Sequence, residues 1–523
     1  MRKLILLLCL LSLPAFGAWP YGIQWDVQTT GSDSNGGGFD PTVTSPGTNK
    51  AMGSVVLFSD LVAVGTTATS VTLAFDSTTP GNFIHIVSGS GCTAGWFDLV
   101  SQSGGTATAD HSMGTGTCTG RAYGPLLTIC NAQSSNQCTG GTLALVTNAL
   151  DTVWVKSGTY NYTIPIPIAS PNSGSIVSLS IVGYNSTHGD ISTPCSVATT
   201  CPLIVQTSGS TYLFSLIAAN SLSGSVLFQN LELSCSQNNC YPLIGANVGG
   251  PDLYAVNVKF DVLGTTNGSG IYNNAKCSYM LVWGCEFNVP SPNAGIADFG
   301  ETASSQDGYG LFVYYSYFHG TGNGVWDGNT ANAQAWHLYF NAFNVAHPVW
   351  AQSTSDDGLK MLDLFNNSFY DPTAAAVSSN GLDPHWVFAA NNIFYGGTYG
   401  MYIAGSYIAT TGSVPFGVGI SQSNAYGSQA TAPYIPYNYG VFSGGRRTGT
   451  PAGIGGSDIA LGSCQPFNAP TTGDFSLSTC GKTALGAKGF PGVGPAGTGY
   501  LDIGALQSKA ATATPPAPRP YLQ

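Results

Sequence analysis

The sequence predicts an all-β protein whose main part is a parallel β-helix, a solenoid in which each coil stacks on the previous one. Three observations predict this fold: a short phrase that recurs along the chain, the strand-forming residues around it, and a composition rich in glycine and poor in charge. Of 523 residues, 69 are glycine, and only 7% are charged. A period of roughly 20 to 50 residues is the signature of stacked repeats, and this composition excludes a protein built from long helices.

The recurring phrase places a small polar residue, often Asn, two or three residues before an aromatic residue or Leu. Each phrase is a short apolar run between Gly, Asn, Ser and Thr, which predicts a strand and a turn rather than a helix. In stacked coils, Asn at a turn can form side-chain ladders and Phe can form an internal stack. The aromatic and Leu positions, 25 to 32 residues apart, are Leu233, Phe260, Phe287, Phe318, Phe343, Phe369, Phe394 and Tyr426.

The net charge of the chain limits the classes of partner that it can bind. The formal net charge is −11, and the sequence pI is about 4.8. Such a chain lacks the basic surface that nucleic-acid binding requires, so we predict no nucleic-acid partner. It also disfavours tight binding of a polyanion unless a cation lies in between.

Residues 1–17 have the pattern of a secretion signal. Arg2 and Lys3 are basic, residues 4–13 are apolar, and Ala15-Phe16-Gly17 fits a cleavage site with small residues. No other stretch of the chain is apolar enough to span a membrane. We therefore predict a secreted or cell-surface protein without a membrane span after cleavage, with an uncleaved anchor as the alternative.

The cysteines predict disulfide bonds. The chain has 13, and Cys9 falls in the predicted signal, which leaves an even set. An even number in an exported chain indicates disulfides, and we predict bridges between close neighbours in sequence. Zinc binding is a weak rival because there is no CxxC pair. The candidate bridging residues are Cys130, Cys138, Cys195, Cys201, Cys235, Cys240, Cys277, Cys285, Cys464 and Cys480.

Composition divides the chain further. Residues 18–145 contain short alternating apolar segments without the repeat, which predicts an N-terminal β module or cap. The repeats occupy 146–430, and the Gly- and Pro-rich residues 431–507 are predicted to form the last coils and a C-terminal cap. A solenoid needs caps because an open end exposes its core and unpaired strand edges. Residues 508–523, with four prolines, predict a flexible tail.

Several phrases carry a resemblance to a known group of proteins. Residues 152–160, Thr-Val-Trp-Val-Lys-Ser-Gly-Thr-Tyr, resemble the first coil of right-handed parallel β-helix proteins of the pectin-lyase-like superfold. Residues 25–39, 93–101, 183–190, 473–478 and 500–506 resemble a group of secreted or virus-encoded β-helix proteins of mostly unknown function. The resemblance implies the right-handed fold, and an extracellular polysaccharide as partner. The superfold contains polysaccharide lyases, which use Ca²⁺ and a basic residue, and polysaccharide hydrolases, which use clustered Asp.

One strip of the repeat region is rich in carboxylates. Counting 14 residues past successive repeat aromatics gives Glu301, Asn332, Asp357 and Asp383. In coils that are in register, these would stack on one face about 4.8 Å apart. Carboxylates at such a short distance either bind a cation or raise each other's pKa. The strip therefore predicts Ca²⁺ as a cofactor, with the candidate ligands Glu301, Asp356, Asp357 and Asp383.

The same strip supplies candidate catalytic and substrate-binding residues. A glycoside hydrolase needs two carboxylates about 5–10 Å apart, which Asp357 and Asp383 would satisfy, and Lys360 is near the same strip. Exposed aromatic rings are usual platforms for sugars. The candidate substrate-binding residues are Trp326, Trp336, Trp350, Trp386 and His385. Asp and Asn are also ordinary turn residues, and the tryptophans are equally compatible with the core.

These observations predict a secreted β-helix protein that interacts with polysaccharide and cleaves it if it is an enzyme, as a lyase or a hydrolase. The polygalacturonase tripeptides NTD and GHG are absent, and Lys and Arg are scarce in the repeats. The alternative is a non-catalytic structural or adhesive protein, similar to a tail spike. Trimeric assembly would favour the spike, and a monomer with a groove would favour the enzyme.

Overall fold

The structure is a computed structural model of the chain. It describes residues 24–29, 31, 57–64, 70–72, 83–93, 95–103, 106–109, 112, 114, 117–122, 126–130, 151–168, 178–186, 188–191, 195, 200–207, 212–216, 225–244, 252–273, 279–298, 310–327, 335–351, 361–381, 386–405, 419–430, 432–435, 458–486 and 503–505. These residues form 40 strands and almost no helix. The predicted signal (1–17) and tail (508–523) lie outside them, as does the predicted boundary at residue 145.

The chain divides into two compact units. Unit 1 consists of residues 1–156, 170–188 and 221–226, and unit 2 of the remainder. Within unit 1, six antiparallel strands close a barrel in the order β2-β3-β6-β5-β4-β7. Three further strands pair in parallel in the order β1-β8-β11. Their bounds are β1 Gln24–Val27, β2 Leu57–Val64, β3 Ser70–Thr72, β4 Phe83–Gly89, β5 Gly95–Ser103, β6 Thr106–Ala109, β7 Thr117–Ala122, β8 Asp151–Lys156 and β11 Ser178–Tyr184.

Unit 2 is a parallel β-solenoid with three sheets, as the repeat predicts. Each complete coil contributes one strand to the first sheet, then one to the second and one to the third. The first sheet contains β14 Ser225–Gln229, β17 Asp252–Val256, β20 Tyr279–Trp283, β23 Gly310–Tyr314, β26 Ala335–Tyr339, β29 Met361–Phe365, β32 Trp386–Ala390 and β35 Gly419–Gln422.

The second and third sheets have the same stacked order. The second contains β9 Thr159–Tyr162, β12 Leu203–Gln206, β15 Glu232–Cys235, β18 Lys259–Val262, β21 Glu286–Asn288, β24 Tyr317–His319, β27 Ala342–Asn344, β30 Ser368–Tyr370, β33 Ile393–Tyr395, β36 Ala425–Gly427 and β38 Ile459–Gly462. The third contains β10 Ile166–Pro167, β13 Tyr212–Ser215, β16 Tyr241–Ile244, β19 Ser269–Asn273, β22 Ala294–Asp298, β25 Asn323–Asp327, β28 His347–Ala351, β31 Ala375–Gly381, β34 Tyr399–Gly405 and β37 Ala432–Ile435.

The repeat aromatics form the interior stack that the sequence predicts. Strand pairing places Leu233 beside Phe260, and each later repeat aromatic beside the next one. From Phe260 to Tyr426 the ring centroids of neighbours are 4.5–5.0 Å apart, and the ring planes are within 15° of parallel. All are buried. One in-register column of rings therefore fixes how each coil sits on the next.

A buried ladder of Asn side chains runs along the turn that precedes the second sheet, again as predicted. The Nδ2 of Asn367 donates to Oδ1 of Asn392 at 3.0 Å, and that of Asn392 donates to Oδ1 of Asn424 at 2.9 Å. Each amide also pairs with backbone, so that Asn392 Nδ2 donates to Leu364 O at 2.9 Å. The ladder satisfies polar groups that would otherwise be buried without a partner.

The described residues after β38 pack on the side of the solenoid, and we call them the C-terminal cap. A hairpin of β39 (Phe467–Ala469) and β40 (Asp474–Leu477), a 3₁₀ turn (Pro470–Thr472) and the short helix α1 (Thr479–Leu485) follow β38. Phe467, Phe475, Leu485 and Ile503 share one buried cluster with Ile393 and Ala425 of the solenoid, and Tyr317, Tyr370 and Tyr395 of the second sheet pack against it. The cap therefore covers part of the outer face of the second sheet.

Three disulfides confirm the predicted short-range pairing: Cys195–Cys201, Cys235–Cys240 and Cys464–Cys480. Cys130 is also disulfide-bonded, while Cys138 and Cys277 lie outside the described residues. The prediction for Cys285 is wrong, because this residue is a buried free thiol. Its Sγ donates to Ala255 O at 3.4 Å inside the solenoid.

Candidate functional site

The predicted carboxylate strip falls in the connectors that lead from the third sheet to the first. Its residues Glu301, Asp356, Asp357, Lys360, Asp383 and His385 all lie outside the described part of the chain. Their roles as Ca²⁺ ligands, catalytic groups and a substrate contact therefore stay predictions. Among the residues that the structure describes, no group of three or more His, Cys, Asp or Glu could hold a metal ion.

The predicted sugar-binding tryptophans separate into different environments. Trp326 and Trp350 are in register on the third sheet, half-buried, with ring centroids 6.3 Å apart. The prediction for Trp336 is wrong, because this side chain is 0% exposed inside the solenoid. Its Nε1 donates to Asp298 Oδ2 at 2.8 Å. Trp386 begins β32, in register with Met361.

The outer side of the first sheet carries a continuous aromatic surface. In β20, β23, β26 and β29, residues alternate between buried and half-buried, so every second side chain points outward. We call the outward aromatic residues of these strands, together with His337, Asp363 and two aromatic neighbours in the following turns, the aromatic face. It consists of Tyr279, Trp283, Phe312, Tyr314, Tyr315, His337, Tyr339, Phe340, Asp363 and Phe365.

Ring contacts connect this face from coil to coil. Phe312 stacks on Tyr279 at 4.8 Å and on His337 at 4.4 Å between ring centroids. Tyr314 lies between Trp283 and Tyr339, at 5.3 and 5.2 Å. Gly310 allows the first of these contacts, because a Cβ there would lie 2.7 Å from the Phe312 ring. The rings therefore form a supported surface across four coils.

Two aromatic residues of the face occupy a backbone position that is unfavourable for them. In the coils of β14 to β29, the residue after the first-sheet strand donates its N–H to the last carbonyl of the next strand in that sheet, as Tyr315 does to Tyr339 at 3.2 Å. The backbone of this residue is in the left-handed region in every one of these coils and in those of β32 and β35. Apart from the coils of β23 and β26, the residues at this position are Asn230, Asn257, Gly284, Asn366, Asn391 and Ser423. Tyr315 (φ 51°) and Phe340 (φ 59°) depart from that choice. Strained positions of this kind concentrate at functional sites.

One member of the strained pair, Tyr315, is exposed to solvent, and the other, Phe340, is half-buried. Tyr315 is 46% exposed, one of the large hydrophobic residues most accessible in the described chain. Its ring stacks on Phe340 at 5.0 Å with an interplanar angle of 10°, and contacts Trp283 at 4.9 Å. An exposed aromatic stack at a strained turn is difficult to explain by packing alone, since Asn or Gly would satisfy the turn without strain.

A polar triad interrupts the aromatic face. His337 Nδ1 lies 2.8 Å from Asp363 Oδ2, and Tyr339 OH donates to the same oxygen at 3.4 Å. Because an ionised carboxylate can only accept, the proton lies on Nδ1, and in the neutral imidazole Nε2 is then the acceptor nitrogen of His337. Burial, followed by the charge of Asp363, raises the pKa of Tyr339, so the phenol stays neutral. The sequence did not single out this triad, although the alternation in β26 and β29 places all three residues outward.

The outer side of the second sheet has a different chemistry. Lys259 Nζ contacts Glu232 at 2.8 Å and Asp261 at 3.2 Å, and His319 Nε2 lies 3.0 Å from Glu286. Burial is the main cause that raises the pKa of Glu232. This surface is an ionic network whose groups pair with one another, so it offers less for a ligand than the aromatic face.

A buried carboxylate lies on β1, in the described part of unit 1. Asp26 is 0% exposed, and it accepts from Tyr184 OH at 2.6 Å and from Gln28 Nε2 at 2.9 Å. His188 lies 3.8 Å from the same carboxylate and stacks on Trp154 with ring centroids 4.3 Å apart. These bonds tie β1 to β11, so the cluster has a structural role within unit 1.

Comparison of the chain with protein-family models, with curated proteins and with solved structures gives no match. The class of protein is therefore defined by the strand pairing alone, as a parallel β-solenoid. No described helix is long and apolar enough to cross a membrane.

Proposed function

We propose that this protein is a secreted β-solenoid that binds an extracellular polysaccharide along its aromatic face. The observation that carries the proposal is the strained stack of Tyr315, which is exposed, on Phe340 beside Trp283. Aromatic rings stack on the apolar faces of sugar rings, and their polar edges reach hydroxyl groups. A surface that repeats about every 4.8 Å suits a ligand that also repeats.

Export supports the same proposal. The three described disulfides are typical of an oxidising compartment, which agrees with the predicted signal peptide. The resemblance to pectin-lyase-like proteins belongs to the proposal too, since that superfold contains many polysaccharide-binding members. A fold shared by many activities is weaker support than the site itself.

Affinity electrophoresis of the purified protein through gels that contain single polysaccharides tests this proposal. We expect at least one polysaccharide to retard the wild type, and Trp283→Ala to restore most of the mobility. Leu263→Ala is the matched control, because Leu263 is 48% exposed and lies on a connector after the second sheet. Equal retardation of all three proteins would contradict a role for the aromatic face.

Cleavage of the bound chain is a second candidate, favoured by the contact between His337 and Asp363. A His that is oriented by a carboxylate through Nδ1 can accept a proton at Nε2. We expect His337→Gln, which keeps a side-chain hydrogen-bond acceptor but cannot take up a proton, to abolish product formation while it retains most of the binding. Product formation is measured as reducing ends and as absorbance of unsaturated products. If Asp357→Ala or Asp383→Ala abolishes turnover and His337→Gln does not, catalysis lies in the connectors, with the predicted Ca²⁺.

A further inference from the structure

We infer that the ligand of the aromatic face is a neutral glycan rich in hydroxyl groups, and that Asp363 and His337 are its specificity-determining pair. This inference rests on the proposed function and adds the chemical class of the ligand. It follows from two independent observations, the charges of the first sheet and the direction of its hydrogen bonds.

The charges on this sheet would repel a polyanion. The strands β14 to β35 of the first sheet contain no Lys or Arg, and their ionisable carboxylates are Asp252 and Asp363. The chain as a whole has 14 Lys and Arg against 25 Asp and Glu. A polymer of uronate or sulfate groups placed along these strands would meet like charge without a compensating cation. A neutral polymer meets no such barrier.

The polar groups of the face are oriented to accept hydrogen bonds. The Asp363 carboxylate accepts from His337 at 2.8 Å and from Tyr339 at 3.4 Å, both at Oδ2, so Oδ1 can accept a further hydrogen bond. An ionised carboxylate can only accept, so Nδ1 of His337 carries the proton that it shares with Asp363, and in the neutral imidazole Nε2 is then an acceptor. Tyr339 likewise uses its proton on Asp363 and can accept at its oxygen. A ligand that complements three acceptors must donate, as sugar hydroxyls do and ionised carboxylates or sulfates do not.

The positions of Asp363 and His337 on the first sheet support their role in ligand specificity. Asp363 and His337 are in register on neighbouring strands, and His337 stacks on Phe312. A sugar ring on the stacked rings would therefore have acceptors beside it on the same surface. The side chain of His337 is 14% exposed and that of Asp363 is 19% exposed, so a ligand can reach both, and both are partly desolvated. Hydrogen bonds to a partly desolvated charged group contribute more than those at a fully wet surface.

The test compares neutral and acidic polysaccharides with the full chain. Affinity electrophoresis is run in gels that contain neutral β-glucan, mannan, xylan or dextran, and in gels that contain polygalacturonate, alginate or dextran sulfate, each with and without Ca²⁺. We expect retardation by at least one neutral polymer, little change of that retardation with salt, and none by the polyanions. Retardation by polyanions alone overturns this inference and leaves polysaccharide binding intact. No retardation by any polymer overturns both proposals.

The residue-level test uses a pair of matched variants. Asp363→Asn removes the charged acceptor and should weaken binding of the neutral glycan about tenfold. Asp252→Asn removes the same charge from the same sheet outside the aromatic face, and should change affinity by less than about twofold. Equal effects of the two variants would show that overall charge, rather than the acceptor pair, determines the preference, and would overturn the role of Asp363.

Discussion

At the scale of single residues, the most informative feature is the backbone of Tyr315 and Phe340. Four other coils place Asn at this left-handed position, where its short polar side chain is tolerated. The aromatic pair accepts that strain and remains partly exposed. A residue that is unfavourable for its own turn, yet adds to a continuous surface, is what the proposed binding role leads us to expect.

The backbone strain at Tyr315 predicts that a substitution there changes stability and polysaccharide binding in different directions. Tyr315→Asn should leave the free energy of unfolding unchanged or raise it by about 1 kcal/mol, because relief of left-handed strain offsets the lost ring contacts. The same change should weaken polysaccharide binding about fivefold through loss of stacking. Chemical denaturation and affinity electrophoresis measure the two effects. Tyr315→Phe is the control that keeps the ring, and unchanged binding in Tyr315→Asn would contradict the assignment.

Cys285 gives a second prediction at this scale. Burial is the main cause that raises its pKa to about 12. Because only the thiolate reacts, about one molecule in ten thousand would be reactive at pH 8. We expect iodoacetamide to leave Cys285 unmodified in the folded protein and to modify it after unfolding, as measured by mass spectrometry. Cys285→Ala removes the label. A Cys277–Cys285 disulfide peptide, or rapid labelling of the folded chain, would contradict the structure.

At the scale of elements, the turn before the second sheet depends on the Asn ladder. Asn392 accepts from the N–H and the Nδ2 of Asn367 at 2.9 and 3.0 Å, and donates to Leu364 O and Asn424 Oδ1 at 2.9 Å each. Replacement by an apolar residue would leave several of these buried groups without a partner. The energetic consequence should therefore far exceed that of a surface Asn.

We predict that Asn392→Ala lowers the free energy of unfolding by about 3 kcal/mol. The matched control is Asn468→Ala in the cap, where an exposed Nδ2 donates to Ser476 Oγ at 2.8 Å, and the loss should stay below about 1 kcal/mol. Denaturation by guanidinium chloride, followed by circular dichroism, gives both values. Similar losses in the two variants would show that the ladder is not a main source of coil-to-coil stability.

At the scale of the whole molecule, the interior of the solenoid was predicted from the sequence, whereas the aromatic face was not. The repeat aromatics and Asn ladder residues follow from sequence because a side chain inside a coil has one allowed position relative to its neighbours. The carboxylate strip was predicted by counting 14 residues from each repeat aromatic. The residues reached in this way lie in connectors of unequal length. Eleven residues separate Asp298 from Gly310, whereas four separate Gly381 from Trp386. A constant offset therefore does not identify equivalent positions.

The aromatic face had a usable signal in the sequence. In residues 279–283 and 335–339, every second residue is inward and apolar. Because side chains alternate along a strand, this pattern assigns Trp283, His337 and Tyr339 to the outer side. The same parity assigns Trp336 to the interior, where the structure places it. The left-handed backbone of Tyr315 and Phe340 had no such signal, since their phrases differ from the Asn-containing ones only by the aromatic residue itself.

The central claim is that polysaccharide binds to the outer side of the first sheet. Hydroxyl-radical footprinting of the protein, with and without a polysaccharide that retards it, tests this claim most directly. We predict protection of Trp283, Tyr315 and Phe340, with no change at Leu263, which is exposed outside the face. Protection of Trp326 and Trp350 on the third sheet instead, with Tyr315 unprotected, would contradict the account and move the binding surface.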